Sequence, residues 1–101
     1  MLTELNEKNF DDYINDGIKL VVFLADWCGY CQQQKPVLKE LTDNDICIGT
    51  VNSDKNPNLT EQWNIKAFPS FILFKKGEPI TCFSGLHNKY DLLNRLLDSL
   101  K

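Results

Sequence analysis

The sequence predicts an α/β domain with a central mixed five-stranded sheet flanked by four helices. Three observations predict it. Lys19 to Ala25 is a continuous apolar run rich in Val and Phe, the pattern of a central strand covered on both faces, as parallel sheets require. Strand-length apolar segments alternate with segments of helical periodicity in the order β-α-β-α-β-α-β-β-α, which opens as a βαβ unit and puts helices on both faces. The last two strands are separated by the tight turn Lys76-Gly77, which makes them an antiparallel hairpin. A length of 101 residues, with 43% hydrophobic and 25% charged side chains, fits one globular domain over residues 1–101.

Each element has a local reason. Leu2 to Leu5 reads as a short first strand. Asn6 then caps a helix whose Phe10, Tyr13 and Ile14 fall at i, i+3 and i+4, and Gly17 stops it. After the central strand, Tyr30 to Leu41 is helical, with Leu38 and Leu41 on one face. Pro36 lies inside it and removes one backbone bond, which predicts a kink. Asp43-Asn44-Asp45 breaks this helix before a third strand, Ile46 to Val51. Asn56-Pro57 starts a short helix carrying Leu59 and Trp63, with Pro57 suited to a first helical position. Ser70 to Phe74 is the fourth strand. Ile80 to Phe83 is the fifth, and Pro79 at its start marks a sheet edge. Asn88 caps the last helix, whose Leu93, Leu96, Leu97 and Leu100 form the stripe expected to dock on the sheet.

The chemistry concentrates at Trp27-Cys28-Gly29-Tyr30-Cys31, at the C-terminal end of the central strand, where ligand chemistry in such sheets is found. A Cys-x-x-Cys at a strand-to-helix junction puts the first sulfur at a helix N-terminus, where unpaired N–H groups favour a thiolate. Cys28 is therefore expected to be the acidified nucleophile. Cys31, one turn on, faces the same side, so a disulfide can form and break with little backbone movement. Zinc would need two further ligands, and Cys47, Cys82 and His87 do not fall at the paired spacing of a zinc ribbon or finger, so no metal is expected.

The bulk properties exclude other classes. A net charge of -3 without a basic cluster lacks the footprint of a nucleic-acid partner. The segment Met1 to Glu7 has neither a basic n-region nor an apolar h-region, and no apolar run approaches membrane-span length. The expectation is a cytoplasmic chain without a membrane partner, whose four cysteines are thiols rather than a structural framework.

Three separated signals, spread over essentially the whole chain, resemble the thioredoxin family. Trp27-Cys28-Gly29-Tyr30-Cys31 with Pro36 downstream resembles its W-C-G-x-C motif and kinked second helix. Phe68-Pro69 before a strand resembles its cis-proline segment, and Phe74 to Glu78 with Phe83-Ser84-Gly85 resembles its terminal hairpin and the glycine bordering the substrate groove. The resemblance implies the thioredoxin fold and thiol–disulfide exchange, with Cys28 attacking a partner disulfide and Cys31 resolving the mixed disulfide. It further implies a groove formed by Trp27, Gly29, Tyr30, Phe68, Pro69, Gly85 and Leu86, with Phe68 offering an edge to an extended substrate segment. By the same resemblance the protein is a monomer that binds no cofactor. Its partners are protein disulfides and a thioredoxin reductase, a flavin enzyme that passes on electrons from NADPH.

The sequence departs from the family in places. The buried acid usually found six positions before the first cysteine is Val22, and the lysine that often partners it aligns with Thr50. Asp26 occupies a different, more exposed position and reads as a solvated acid. Exchange slower than in an acid-bearing relative at neutral pH is the expectation. Tyr30 replaces the usual proline between the cysteines, and Gln32 replaces a basic residue. Gly-Tyr partly resembles the spacer of glutaredoxins, which predicts a potential between about −270 mV and about −200 to −230 mV. Alternative readings are a glutathione-linked or oxidase/isomerase-type enzyme, or a docking module of the same fold. Cys47 is expected as a small buried hydrophobe and His87 as a surface loop residue. Cys82 alternates with Phe83, so Cys82 is accessible if Phe83 faces the core.

Overall fold

The computed structural model describes residues 2–101. Its elements are β1 (Leu2–Leu5), α1 (Phe10–Ile14), β2 (Ile18–Leu24), α2 (Gly29–Thr42), β3 (Ile48–Asn52), α3 (Pro57–Gln62), β4 (Ser70–Lys75), β5 (Glu78–Ser84) and α4 (Lys89–Ser99). The strands form one five-stranded sheet in the order β1-β3-β2-β4-β5, parallel from β1 through β2 and antiparallel from β2 to β5.

β2 lies at the centre, and its alternation divides the core. Val21 and Phe23 join Phe10, Ile14 and Leu59 of α1 and α3 on one face, whereas Leu20, Val22 and Leu24 join Leu38, Leu41, Leu92 and Leu96 of α2 and α4 on the other. A strand apolar on both sides is what two helical layers require. The β4–β5 hairpin turns at Lys76 and Gly77, both with positive φ, and Pro79 sits at the edge beside a bulge at Leu73/Phe74, where a missing N–H costs no ladder bond. On that edge strand Phe83 stacks on Phe71 at 4.8 Å, which turns Cys82 to the opposite face, where it is exposed.

Several local expectations need correction. Asn6 caps a turn rather than α1 itself. Its side chain accepts from the Lys8 and Asn9 N–H groups, Asn9 answers by accepting from the Asn6 N–H, and α1 begins only at Phe10. β3 begins at Ile48, later than expected, and Cys47 lies outside the strand and is exposed. The docking stripe of α4 is also rotated. Leu92 and Leu96 are buried and Leu93 packs beside them, while Leu97 is 61% exposed. Leucines at 92, 93, 96, 97 and 100 share one broad arc, and spacing alone does not say which edge of it is buried. Asn88 does cap this helix, accepting from the Asp91 N–H at 2.9 Å.

The rotation makes a prediction. Leu92→Ala should cost about 2–5 kcal/mol in urea unfolding, as for a buried leucine, and Leu97→Ala no more than about 0.5 kcal/mol. A larger cost at Leu97 than at Leu92 would show that the helix docks on the stripe of Leu93, Leu96, Leu97 and Leu100 instead.

Candidate active site

β2 carries the chain through buried Leu24 and Ala25 to an exposed corner at Asp26 and Trp27, and the Cys28 N–H bonds back to the Ala25 carbonyl at 3.2 Å. Cys28 is the N-cap of α2, with extended φ −91° and ψ 114°. Its Sγ accepts the Cys31 N–H at 3.2 Å, so sulfur takes the place that an oxygen holds in ordinary caps. As a thiol, Cys28 also donates to the Phe68 carbonyl at 3.5 Å. Both cysteines are free and buried, Cys31 completely and Cys28 to 7% exposure, which leaves Cys28 the sulfur that solvent and partners can reach.

Burial pushes the Cys31 thiol up to about 11, reinforced by its hydrogen bond with Cys28 and opposed by a backbone hydrogen bond at Ala25 and by the Lys35 charge. At neutral pH Cys31 is therefore a protonated thiol. Val22 is fully buried in the same apolar cluster as both cysteines, and Thr50 is its neighbour on β3. Asp26 is exposed, and its carboxylate accepts from the Asn52 side chain at 3.1 Å.

The Phe68–Pro69 bond is cis, and the Pro69 carbonyl accepts the Gly85 N–H at 2.9 Å. Gly85 has φ +95°, a conformation that glycine adopts without strain as the chain leaves β5. A continuous series of contacts thus runs from Cys28 through Phe68 and Pro69 to Gly85. Trp27 stands over the same segment, 72% exposed, with its ring edge-on to Phe68 at 5.6 Å. Tyr30, in the exposed first turn of α2 with Gly29, and Leu86, beside Gly85, complete the set at 59% and 40% exposure.

Asp54 and Gln34 join the site without a reading from the sequence, and His87 sits otherwise than its sequence context predicts. Asp54 accepts from Trp27 Nε1 at 3.4 Å and from the Asp26 N–H at 3.3 Å, tying the corner to the end of β3. Gln34 is fully buried on α2, and its amide meets the backbone of His87. Its signal was present, since it lies three residues after Cys31 and four before Leu38, inside the apolar register. His87 is no solvated loop residue: with 13% side-chain exposure, its Nε2 meets the Ser84 carbonyl at 2.9 Å and its Nδ1 meets Asp91. The His87 hydrogen bond, with help from Arg95 and against partial desolvation, holds the Asp91 carboxyl below its usual range.

The Thioredoxin family model matches residues 1–98. A thioredoxin of Chlamydia caviae is 37% identical over 100 residues, covering 97% of each chain. The chain belongs to the thioredoxin family. A thioredoxin of Staphylococcus haemolyticus is 36% identical over 94 residues, covering 90% of each. A chloroplastic thioredoxin Y1 of Arabidopsis thaliana is 37% identical over 98 residues, 92% of this chain and 57% of the plant protein. The family accounts for the five-stranded mixed sheet with four helices and supports a thiol–disulfide oxidoreductase role acting on protein disulfides. Among the described residues, no helix is long and apolar enough to cross a membrane.

The raised Cys31 thiol makes stability depend on pH in a definite direction. A thiol whose folded pKa lies near 11 instead of its ordinary 9.0 contributes stability that is intact below about pH 9 and lost as pH rises through 11. The stability difference between the reduced protein and Cys31→Ser should therefore shift against the reduced protein over that window in denaturant titrations. A pH-independent difference would contradict the burial effect.

Proposed function

We propose that this protein reduces protein disulfides, with Cys28 as nucleophile and Cys31 as resolving thiol. The observation that carries the reading is the hydrogen bond from the Cys31 N–H to Cys28 Sγ at the start of α2, which favours negative charge on the more accessible sulfur. Cys28 thiolate attacks one sulfur of the partner disulfide, the partner S–S bond breaks, and the other partner sulfur leaves as a thiolate. Cys31 then loses its proton and attacks Cys28, releasing the second partner thiolate and leaving a Cys28–Cys31 disulfide. Two electrons pass from this protein to its partner.

Trp27, Gly29, Tyr30, Phe68, Pro69, Gly85 and Leu86 form the recognition groove in this reading. The exposed aromatic and aliphatic surfaces of Trp27, Tyr30 and Leu86 suit an extended peptide segment around the disulfide. A thioredoxin reductase, carrying electrons from NADPH through its flavin, returns the dithiol to its reduced state. The protein works as a cytoplasmic monomer without a bound cofactor.

Reduced wild-type protein should precipitate insulin by cleaving its interchain disulfides, Cys28→Ser should be inactive, and Cys31→Ser should accumulate a mixed disulfide visible by mass spectrometry. Trapping by Cys28→Ser instead would reverse the two roles. The reduction potential decides direction: a value near about −270 mV fits a reductant, whereas one at about −200 mV or above fits an oxidant or glutathione-linked enzyme, the reading favoured by Tyr30.

The apolar side chain of Val22 implies slow resolution, because this position offers no carboxylate of its own to take the Cys31 proton. Val22→Asp should accelerate decay of the mixed disulfide at pH 7 while lowering folding stability, since it buries an ionisable group. An unchanged decay rate in a folded variant would remove the missing acid as the cause.

A further inference from the structure

Gln34 spends both hydrogen-bonding ends away from the sulfurs, yet it is one of the few polar side chains that are fully buried. Burying an amide is unfavourable unless both ends are matched. Here both are matched by one residue. Gln34 Nε2 donates to the His87 carbonyl at 2.9 Å, and Gln34 Oε1 accepts the His87 N–H at 2.9 Å. The side chain thus bonds the backbone of His87 as a neighbouring strand would, in the stretch between the end of β5 at Ser84 and the start of α4 at Lys89. The two residues are 53 positions apart in sequence.

This bond closes a circuit. Cys28 touches the Phe68 carbonyl, the Pro69 carbonyl holds the Gly85 N–H, and His87 is gripped by Gln34, which returns to the helix that Cys28 caps. Leu86 lies between the two backbone anchors, Gly85 and His87. The His87 ring fastens the segment further, to the Ser84 carbonyl and to Asp91 on α4, and meets Phe83 edge-on at 5.2 Å. The ring contacts hold the segment to β5 and α4. The two Gln34 hydrogen bonds tie it to the helix that carries the sulfurs.

We propose that Gln34 is a positioning residue that fixes the Gly85–His87 wall of the groove against the dithiol helix and so sets how tightly protein substrates are held. The inference rests on the groove assigned under the proposed function. It separates two properties that share one helix. Chemistry depends on the sulfurs at the start of α2, and substrate capture depends on a wall that the middle of α2 holds in place. A small aromatic disulfide needs only the sulfur, whereas a protein disulfide must also lie along the wall.

The test uses pre-reduced full-length protein in stopped-flow single turnovers. For Gln34→Met, which keeps side-chain length and removes both hydrogen bonds, the half-saturating insulin concentration should rise about five- to tenfold. The limiting rate, and the rate with 5,5′-dithiobis(2-nitrobenzoate), should stay within about twofold of wild type. Gln34→Glu supplies the conservative rescue. At pH 7 a carboxylate opposes the His87 carbonyl, and capture should weaken. When protonated, the same group donates to that carbonyl and accepts the His87 N–H, so capture relative to wild type at the same pH should recover as pH falls toward 5.

Unchanged insulin saturation in both variants, equal losses with insulin and the dye, or failure of Gln34→Glu to recover at low pH would each overturn the proposal. If wild-type protein cleaves the dye but not insulin, the underlying groove assignment fails, a result distinguishable from a wild type that cleaves insulin and variants that match it.

Discussion

Because Cys28 accepts the N–H of Cys31, the first turn of α2 and the geometry of the dithiol cannot vary independently. A helix N-terminus leaves N–H groups without intrahelical partners, and one of them is satisfied here by the Cys28 sulfur. The rest of the molecule keeps that turn in place. α2 is pinned to the sheet by Cys31, Leu38 and Leu41 on one face, and β2, whose end delivers the chain to the turn, is covered on both sides. Sheet, helix and redox pair behave as one mechanical unit.

The same burial that orders the pair creates its chemical asymmetry. Cys31 lies in an apolar cluster with Val22 and Phe71, where a thiolate is poorly solvated, while Cys28 sits at the boundary. In the proposed exchange, attack and resolution therefore face different barriers. The first draws on a helix terminus. The second would remove a proton from a desolvated thiol with an aliphatic residue at Val22 and the hydroxyl of Thr50 next to it on β3.

Much of this was legible from the chain because the signals were local. The Cys-x-x-Cys spacing, the doubly apolar run of β2, the Lys76-Gly77 turn and the Asn88 cap each depend on residues a few positions apart. What escaped depended on partners far away in sequence. The docking face of α4 required knowing which leucines the sheet would meet, because five leucines share one broad arc of about 140° and only part of it is buried. Cys47 is exposed because pairing starts at Ile48, a boundary that an apolar run does not mark. Gln34 and His87 were unreadable as a pair, since a polar residue in an apolar register announces burial but not its partner.

The connectivity carries a kinetic consequence. The β4–β5 hairpin is the one strand pairing between immediate neighbours in sequence among the described residues, while the central β2 pairs with β3 and β4, each reached through intervening helix. The contacts that build the site are as remote: Cys28 to Phe68 spans 40 residues. Contacts of high sequence separation carry the loop-closure cost that slows folding, and they are made after local structure. A partly folded chain therefore holds two cysteines with no fixed relation to Phe68, Gly85 or His87. The spatial relation between the dithiol and these segments therefore belongs to the completed topology, not to any local piece of the chain.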